Sequence, residues 1–332
     1  MPLVKRLINN MMPMAQWVDV MVNPVNAVGV AGKGLALAFK EYCPEQYESY
    51  RVACIDGSLH LGKLHIYYNT KDKTTIINAI TKNHWIDQSN LHDVEITIQA
   101  ITKYLLQYPH YTVAMPMLGA GLGRLDQDDV YKLFEKYLDP LPNIIFVCMR
   151  PDTFTSIPKY LVVGGSREYA DYLRIELGIM DGLATFGLSY SDLEAMVSGG
   201  ARGVDRIVCG SGIVEEDIDP NIAACHKIKS IVAQADWNRY NKSAGFVRNK
   251  TLLEIGTHFI LFIGSRSVGT RAMKDLIIRH NEQTDKLSLE QWKIYNEGIP
   301  DSKESLIEYE AMLPPHQRKK YLYIHDISNI SL

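Results

Sequence analysis

Trp17 to Phe39 reads WVDVMVNPVNAVGVAGKGLALAF, and this stretch decides the fold of the first part of the chain. Trp17–Val22 is a short apolar run of the kind that forms a buried strand. It enters a loop punctuated by Gly29, Gly32 and Gly34, after which Gly34–Tyr42 reads as a helix stopped near Pro44. Strand, glycine loop and helix form the repeating unit of open α/β sheets, which hold ligands at the carboxyl ends of their strands. In such a loop, glycines let backbone N–H groups approach a phosphate and the helix amino terminus favours negative charge, here through Gly32, Lys33 and Gly34. Asn23 and Asn26 offer hydrogen bonds to a sugar. The loop is not a Walker motif, because Gly32-Lys33-Gly34 lacks the GK[ST] ending.

The same rhythm continues outward. Lys63–Tyr68 and Thr75–Ala79 read as strands, Leu91–Leu106 as a helix, Thr112–Met115 as a strand, Asp128–Leu138 as a helix and Ile144–Met149 as a closing strand. A second polar, glycine-rich loop, Gly119-Ala120-Gly121-Leu122-Gly123, follows the strand at 112–115 and faces the same ligand. The prolines, Thr and Ser of Arg150–Lys159 mark a linker, which puts a boundary near Pro158.

Beyond it the pattern restarts. Tyr160–Val163 runs into Gly164-Gly165-Ser166-Arg167, and Glu194–Val197 runs into Gly199-Gly200-Ala201-Arg202-Gly203. Strands are also predicted at Ile228–Ala233 and His258–Ile263, with helices at Ala244–Ile255 and Gly269–His280. The carboxy-terminal stretch loses the pattern apart from a helix at Ser288–Tyr295 and a strand at Tyr321–Ile324. The fold class is therefore α/β, with two three-layer α/β domains of parallel strands covered by helices. They span residues 1–157 and 158–283, with an extension over 284–332.

Composition bounds the function. The 332 residues are 46% hydrophobic, 22% charged and 9% aromatic, which is ordinary globular usage and provides for about two cores. Net charge is −3, and acids slightly outnumber bases on both sides of Pro158, so no bulk cationic field draws the chain to nucleic acid or anionic membrane. There is no apolar run of about 18 residues and no signal-peptide pattern, so no membrane partner and a cytoplasmic location are expected. Cys43, Cys54, Cys148, Cys209 and Cys225 lie at irregular spacings, and no histidine has a partner at metal-ligand spacing, so no metal is expected.

VNPVNAVGVAGKGLALAF (22–39), ITKNHW (80–85) and MPMLGAGLGRL (115–125) resemble the macrodomains. More narrowly they resemble the branch that holds DarG-type antitoxins, which remove ADP-ribose from thymidine in DNA, and terminal ADP-ribose glycohydrolases acting on protein glutamates. The resemblance covers about Val18 to Met149. It implies an ADP-ribose site formed by Asn23, Asn26, Gly32, Lys33, Gly34, Gly119, Ala120, Gly121, Leu122 and Gly123, with Lys82 as the catalytic residue. Its amine, if neutral, would attack the anomeric carbon of the terminal ribose or an opened aldehyde; if protonated, it would orient the substrate. Two departures matter. The protein-directed relatives carry an aspartate where this chain has Gly123, which favours the DNA-directed branch. The acidic residue that reads adenine in many macrodomains has no counterpart among Ile8, Asn9, Asn10 and Met11.

In the second domain GGSR (164–167), SGGARGVD (198–205), ADW (235–237), AGFVRN (244–249) and SVGT (267–270) form a nucleotide cleft in outline, with glycine loops for phosphate, arginines for charge and Asp205 for a ribose hydroxyl. The set is similar to the SLOG superfamily, in its YspA-like branch. The resemblance implies a site built from Gly165, Ser166, Arg167, Gly199, Gly200, Arg202, Gly203, Asp205, Arg248, Asn249, Gly269 and Thr270, and self-association through this domain. Met273 stands where the hydrolase branch has its glutamate, which points to binding rather than hydrolysis. The expected function is an ADP-ribosyl glycohydrolase coupled to a binder of a nucleotide or NAD-derived ligand, needing no cofactor; its targets would be ADP-ribosylated DNA or protein. The alternative is a non-catalytic sensor or sponge for ADP-ribose-derived signals.

Overall fold

Strands whose residues are apolar on both faces pair in parallel and are buried by crossover helices, and this accounts for most of both sheets. The computed structural model describes residues 3–7, 10–149, 157–210, 221–295 and 318–327. It divides into two units, Met1–Phe154 and Thr155–Leu332.

In the first unit the strands are β1 (Leu3–Leu7), β2 (Val20–Asn26), β3 (Leu64–Asn69), β4 (Thr74–Lys82), β5 (Thr112–Pro116) and β6 (Ile144–Met149). They form one sheet in the order β1-β6-β5-β2-β4-β3. Every neighbouring pair is parallel except β3 and β4. That antiparallel edge corrects the expectation of a wholly parallel sheet: only residues 70–73 join the two strands, too few for a crossover. β6 is buried throughout, whereas edge strand β3 is half exposed.

The helices are α1 (Gly34–Tyr42), α2 (Pro44–Ile55), α3 (Leu91–Leu105) and α4 (Gln127–Tyr137). Asn90 caps α3 by accepting from the Asp93 N–H, and the helix buries Val94, Thr97, Ile98, Ile101 and Leu105. Asp126 caps α4 through the N–H groups of Asp128 and Asp129. Pro44 does stop α1, but it also occupies the first turn of α2, where its missing N–H costs nothing.

In the second unit β7 (Tyr160–Gly165), β8 (Ala195–Ser198), β9 (Ser230–Val232), β10 (His258–Ile263) and β11 (Tyr321–Asp326) form an all-parallel sheet ordered β11-β10-β7-β8-β9. Read from its first strand outward, the sheet has Rossmann-type connectivity, with the reversal between β7 and β10. Its helices are α5 (Tyr172–Thr185), α6 (Val204–Cys209), α7 (Ile222–Cys225), α8 (Trp237–Tyr240), α9 (Ala244–Ile255) and α10 (Val268–Tyr295). Leu161, Val163, Ile260 and Phe262 on one sheet face pack with Ile175, Ile179, Val204 and Val208 from α5 and α6. Their strand neighbours Val162, Phe259 and Leu261 are buried as well, so both faces are covered. The carboxy-terminal stretch contributes β11, so part of it is an integral strand of this sheet. The linker reading at 150–159 lies largely outside the described residues, as does most of 284–332.

Candidate functional site

The first sheet reverses its direction of winding between its neighbours β2 and β5, since the chain leaves β2 toward α1 and β4 and leaves β5 toward β6. The carboxyl ends of strands at such a reversal open into a crevice. Here it is a cleft of about 1130 Å³. Asn26, Gly32, Lys33 and Gly34 line it from the loop after β2, and Gly119, Ala120, Gly121, Leu122 and Gly123 line it from the loop after β5. Lys82 lines it from the end of β4, and Trp85 and Ser89 line it from the loop that follows. Asn10, Met11 and Met12 also line it, none of the three a carboxylate, and Glu41 lines it from α1. Ile8 and Asn9 lie outside the described residues.

Asn23 requires a correction. It sits inside β2, is 2% exposed, and does not line the cleft; its Nδ2 donates to Asn78 Oδ1 at 2.8 Å on the neighbouring strand. Asn26 does line the cleft, but its amide is used in folding the loop. Oδ1 accepts from the N–H groups of Val28 and Val30, both at 3.2 Å, and Nδ2 donates to Val30 O at 2.7 Å. Tyr50 Oη donates to Asn26 O at 2.6 Å from α2. A rigid loop results, and it delivers the start of α1 to the cleft through Gly34, Leu35 and Ala36. No side chain among the described residues caps that helix end. Its first N–H groups have no intrahelical partner and the helix dipole adds positive potential, which suits a diphosphate.

Lys82 ends β4, paired in register with Asn26. Its Nζ donates to Trp85 O at 3.1 Å and Asp87 O at 3.0 Å, so the amine braces the loop that follows it. Asp87 Oδ2 accepts from the His84 N–H at 3.0 Å and tightens the same turn. Trp85 is 52% exposed, with the His84 ring tilted beside it at 5.5 Å.

The loop after β5 packs against Ser89. A Cβ on Gly123 would lie 2.3 Å from both Gly119 O and Ser89 Oγ. Only glycine fits there, so the site has no carboxylate at 123. Ser89 and Gln127 were not anticipated from the sequence, since a serine in a polar loop or a glutamine opening a helix carries no distinguishing pattern; Trp85 lies in the ITKNHW motif but was not singled out as a site residue. Cys148 also lines the cleft, but burial pushes its thiol up to about 12, which keeps it an unreactive thiol at neutral pH.

In the second unit the structure brings the candidate segments together at the carboxyl ends of β7, β8 and β10. Asp205 is 5% exposed, and its carboxylate accepts N–H donors from Gly165 at 3.3 Å, Gly199 at 3.1 Å and Ala201 at 3.4 Å. It thus ties two glycine loops together, which corrects the reading of Asp205 as a ribose ligand. A Cβ on Gly203 would lie 2.3 Å from Ser166 O, so these loops touch. Arg248 Nη1 donates to Gly199 O at 2.9 Å, and Asn249 Nδ2 donates to Gly269 O at 3.3 Å. Burial, together with the like charge of Arg167, lowers the pKa of Arg248 against the opposing pull of Asp205. Arg167 and Arg202 are exposed, while Gly200 belongs to the loop after β8 and Thr270 is buried at the start of α10. Met273 is buried, leaving that position without an acid.

Among the described residues, no three His, Cys, Asp or Glu side chains are grouped to hold a metal. No helix among them is long and apolar enough to cross a membrane.

Residues 22–134 match the family model of the Macro domain. Over 135 residues the chain is 34% identical to a protein named DNA ADP-ribosyl glycohydrolase from Mycobacterium tuberculosis, which covers 40% of this chain and 38% of that one. Over 129 residues it is 33% identical to the protein of the same name from Thermus aquaticus, covering 38% and 36%. The solved macrodomain of Thermus aquaticus DarG is 30% identical and covers 45% of this chain and 99% of that one, with a TM-score of 0.41. The chain therefore spans less than two fifths of the length of these curated relatives. Its amino-terminal part is a Macro domain, with homologues among the DNA ADP-ribosyl glycohydrolases over about 40% of the sequence.

Proposed function

We propose that the amino-terminal unit is a glycohydrolase that removes ADP-ribose from a modified target, with thymidine in DNA favoured over glutamate in protein. The observation that carries this reading is the convergence of Lys82, the uncapped start of α1 and the glycine loop 119–123 on one cleft. The volume of about 1130 Å³, just above the range of roughly 300–1,000 Å³ usual for small-ligand sites, suits a dinucleotide-sized molecule. The names of the relatives support DNA as the target, and so does Gly123, where no carboxylate fits.

The diphosphate lies along the N–H groups of α1 and the terminal ribose reaches Lys82. Nζ, as the neutral amine, attacks the anomeric carbon as the bond to the target breaks, and the proton it sheds goes to the leaving atom of the target; water then hydrolyses the lysine adduct, releasing ADP-ribose and restoring the amine. For this Nζ must exchange its contacts with Trp85 O and Asp87 O for the sugar, so the 83–87 turn loosens during turnover.

The second unit, by its resemblance to SLOG proteins, binds a nucleotide or NAD-derived ligand. Exposed Arg167 and Arg202 and the loops fastened by Asp205 support an anionic ligand. One observation favours the alternative of a non-catalytic sensor: Lys82 is already engaged with two carbonyls.

The test is mass-spectrometric detection of ADP-ribose release from a thymidine-modified oligonucleotide and from a glutamate-modified protein, by wild type and Lys82→Ala. Release from the oligonucleotide that Lys82→Ala abolishes supports the glycohydrolase. Binding of ADP-ribose without release from either substrate moves the conclusion to the sensor.

A further inference from the structure

Ser89 is the residue before the cap of α3, and it is 7% exposed. Its Oγ is buried with no hydrogen-bond partner among the described residues, yet the residue lines the cleft. Its position is fixed from two sides: its N–H donates to Gly123 O at 3.1 Å, and its Oγ and Cβ fill the space beside Gly123 where any side chain would have to go. A buried hydroxyl without a partner is costly to the fold, a cost that is relieved if a ligand supplies the partner.

The chemistry of the group narrows what that partner is. A serine hydroxyl both donates and accepts, which matches a sugar hydroxyl. Phosphate oxygens are served elsewhere in the cleft, at the start of α1. Ser89 and Lys82 bracket the same loop, at its two ends, and both line the cleft. We propose that Ser89 Oγ hydrogen-bonds a hydroxyl of the terminal ribose and so positions the sugar for Lys82. The proposal rests on the reading of the cleft as an ADP-ribose site. It makes Ser89 a specificity determinant for ligands that carry the second sugar.

The experiment is isothermal titration calorimetry of the full chain, as wild type and Ser89→Ala, with ADP-ribose and with ADP, which lacks that ribose. Ser89→Ala is expected to weaken ADP-ribose binding roughly tenfold, in line with one lost hydrogen bond in a closed site, and to leave ADP binding within twofold. Ser89→Cys, which keeps the shape but supplies only a weak donor, is expected to fall between the two and replaces Ser89→Ala if that variant does not fold. Unchanged ADP-ribose affinity in the variants overturns the proposal, as does an equal loss for ADP and ADP-ribose, which would mark a purely structural residue. If the wild type binds no ADP-ribose, the reading of the cleft itself fails.

Discussion

Arg248 Nη1 lies 3.9 Å from Asp205 Oδ2 while donating to Gly199 O at 2.9 Å, so one guanidinium spans the carboxylate and the loop which that carboxylate holds. Both side chains are largely buried, and a Cβ on Gly199 would sit 2.0 Å from Arg248 Nη1, so a larger residue at 199 would push the guanidinium out of this arrangement. Burial raises the pKa of Asp205, but Arg248 and three N–H donors act against that rise. Replacing Asp205 with Ala strands those N–H groups and leaves a buried cation without its partner. The expected loss is about 3–5 kcal/mol of stability, read by urea denaturation. A loss below 1 kcal/mol would show that the two glycine loops hold together without the pair.

Gly123 gives a sharp contrast with its neighbour Gly121. A Cβ at 123 meets Gly119 O and Ser89 Oγ at 2.3 Å, whereas one at 121 meets nothing within 4 Å. Gly123→Ala forces a carbonyl and the Ser89 loop apart; we expect a cost of about 1–3 kcal/mol and weaker ADP-ribose binding. Gly121→Ala is expected to change stability by no more than about 0.5 kcal/mol. Thermal melts of the two variants side by side decide this, and equal melting temperatures would refute it.

These residues also show what the sequence could and could not disclose. The spacing of Gly34–Tyr42 and the placement of both glycine loops after apolar runs made the cleft legible, because backbone loops are written in glycine positions. Side-chain direction was not. Pro24 disguised the continuation of β2 to Asn26, since proline normally argues against a central strand. Asn23 was therefore read as a loop residue when it faces Asn78 inside the sheet. Asp205 was misread for a related reason: a carboxylate among glycines looks like a ligand for ribose until three N–H groups from two loops are seen to use it. The first strand, Leu3–Leu7, escaped notice because LVKRL is a short edge segment whose polar residues break the apolar run. Pro44 read as a stop and is also a start.

Asn78 links the buried Asn23 to His65 on β3. Because Asn23 Nδ2 donates to Asn78 Oδ1, the Asn78 Nδ2 faces His65 Nδ1, at 2.9 Å, and must donate to it. His65 Nδ1 is then the acceptor, and the ring proton sits on Nε2, donating to Ser49 Oγ at 2.9 Å. Burial lowers the pKa of His65, and a proton on Nδ1 would set two donors against each other. Nitrogen NMR is expected to find the neutral Nε2–H tautomer persisting below pH 6.5. Asn78→Asp should raise the His65 pKa by placing a carboxylate at Nδ1. A cationic His65 at pH 6.5 in the wild type would contradict the chain of donors.

His258 opens β10 with its ring stacked on Tyr321 of β11 at 4.7 Å and edge-on to Phe186. Burial, reinforced by the charges of Lys159 and Lys320, pushes its pKa down to about 4. An unfolded chain holds this group near 6.5, so between the two values the unfolded state binds a proton that the native state refuses. Stability from this residue is therefore complete above about pH 6.5 and drains away as the pH falls toward 4. His258→Phe keeps an aromatic surface for Tyr321 and removes the titration. Thr257 Oγ1, which contacts His258 Nδ1 at 2.9 Å, keeps its bonds to the Tyr160 N–H and carbonyl. Urea denaturation of both proteins from pH 7.5 to pH 4.5 should show the wild type losing stability faster than the variant, with the curves diverging below pH 6.5. Parallel curves would mean that His258 accepts its proton in the folded sheet as readily as in the unfolded chain.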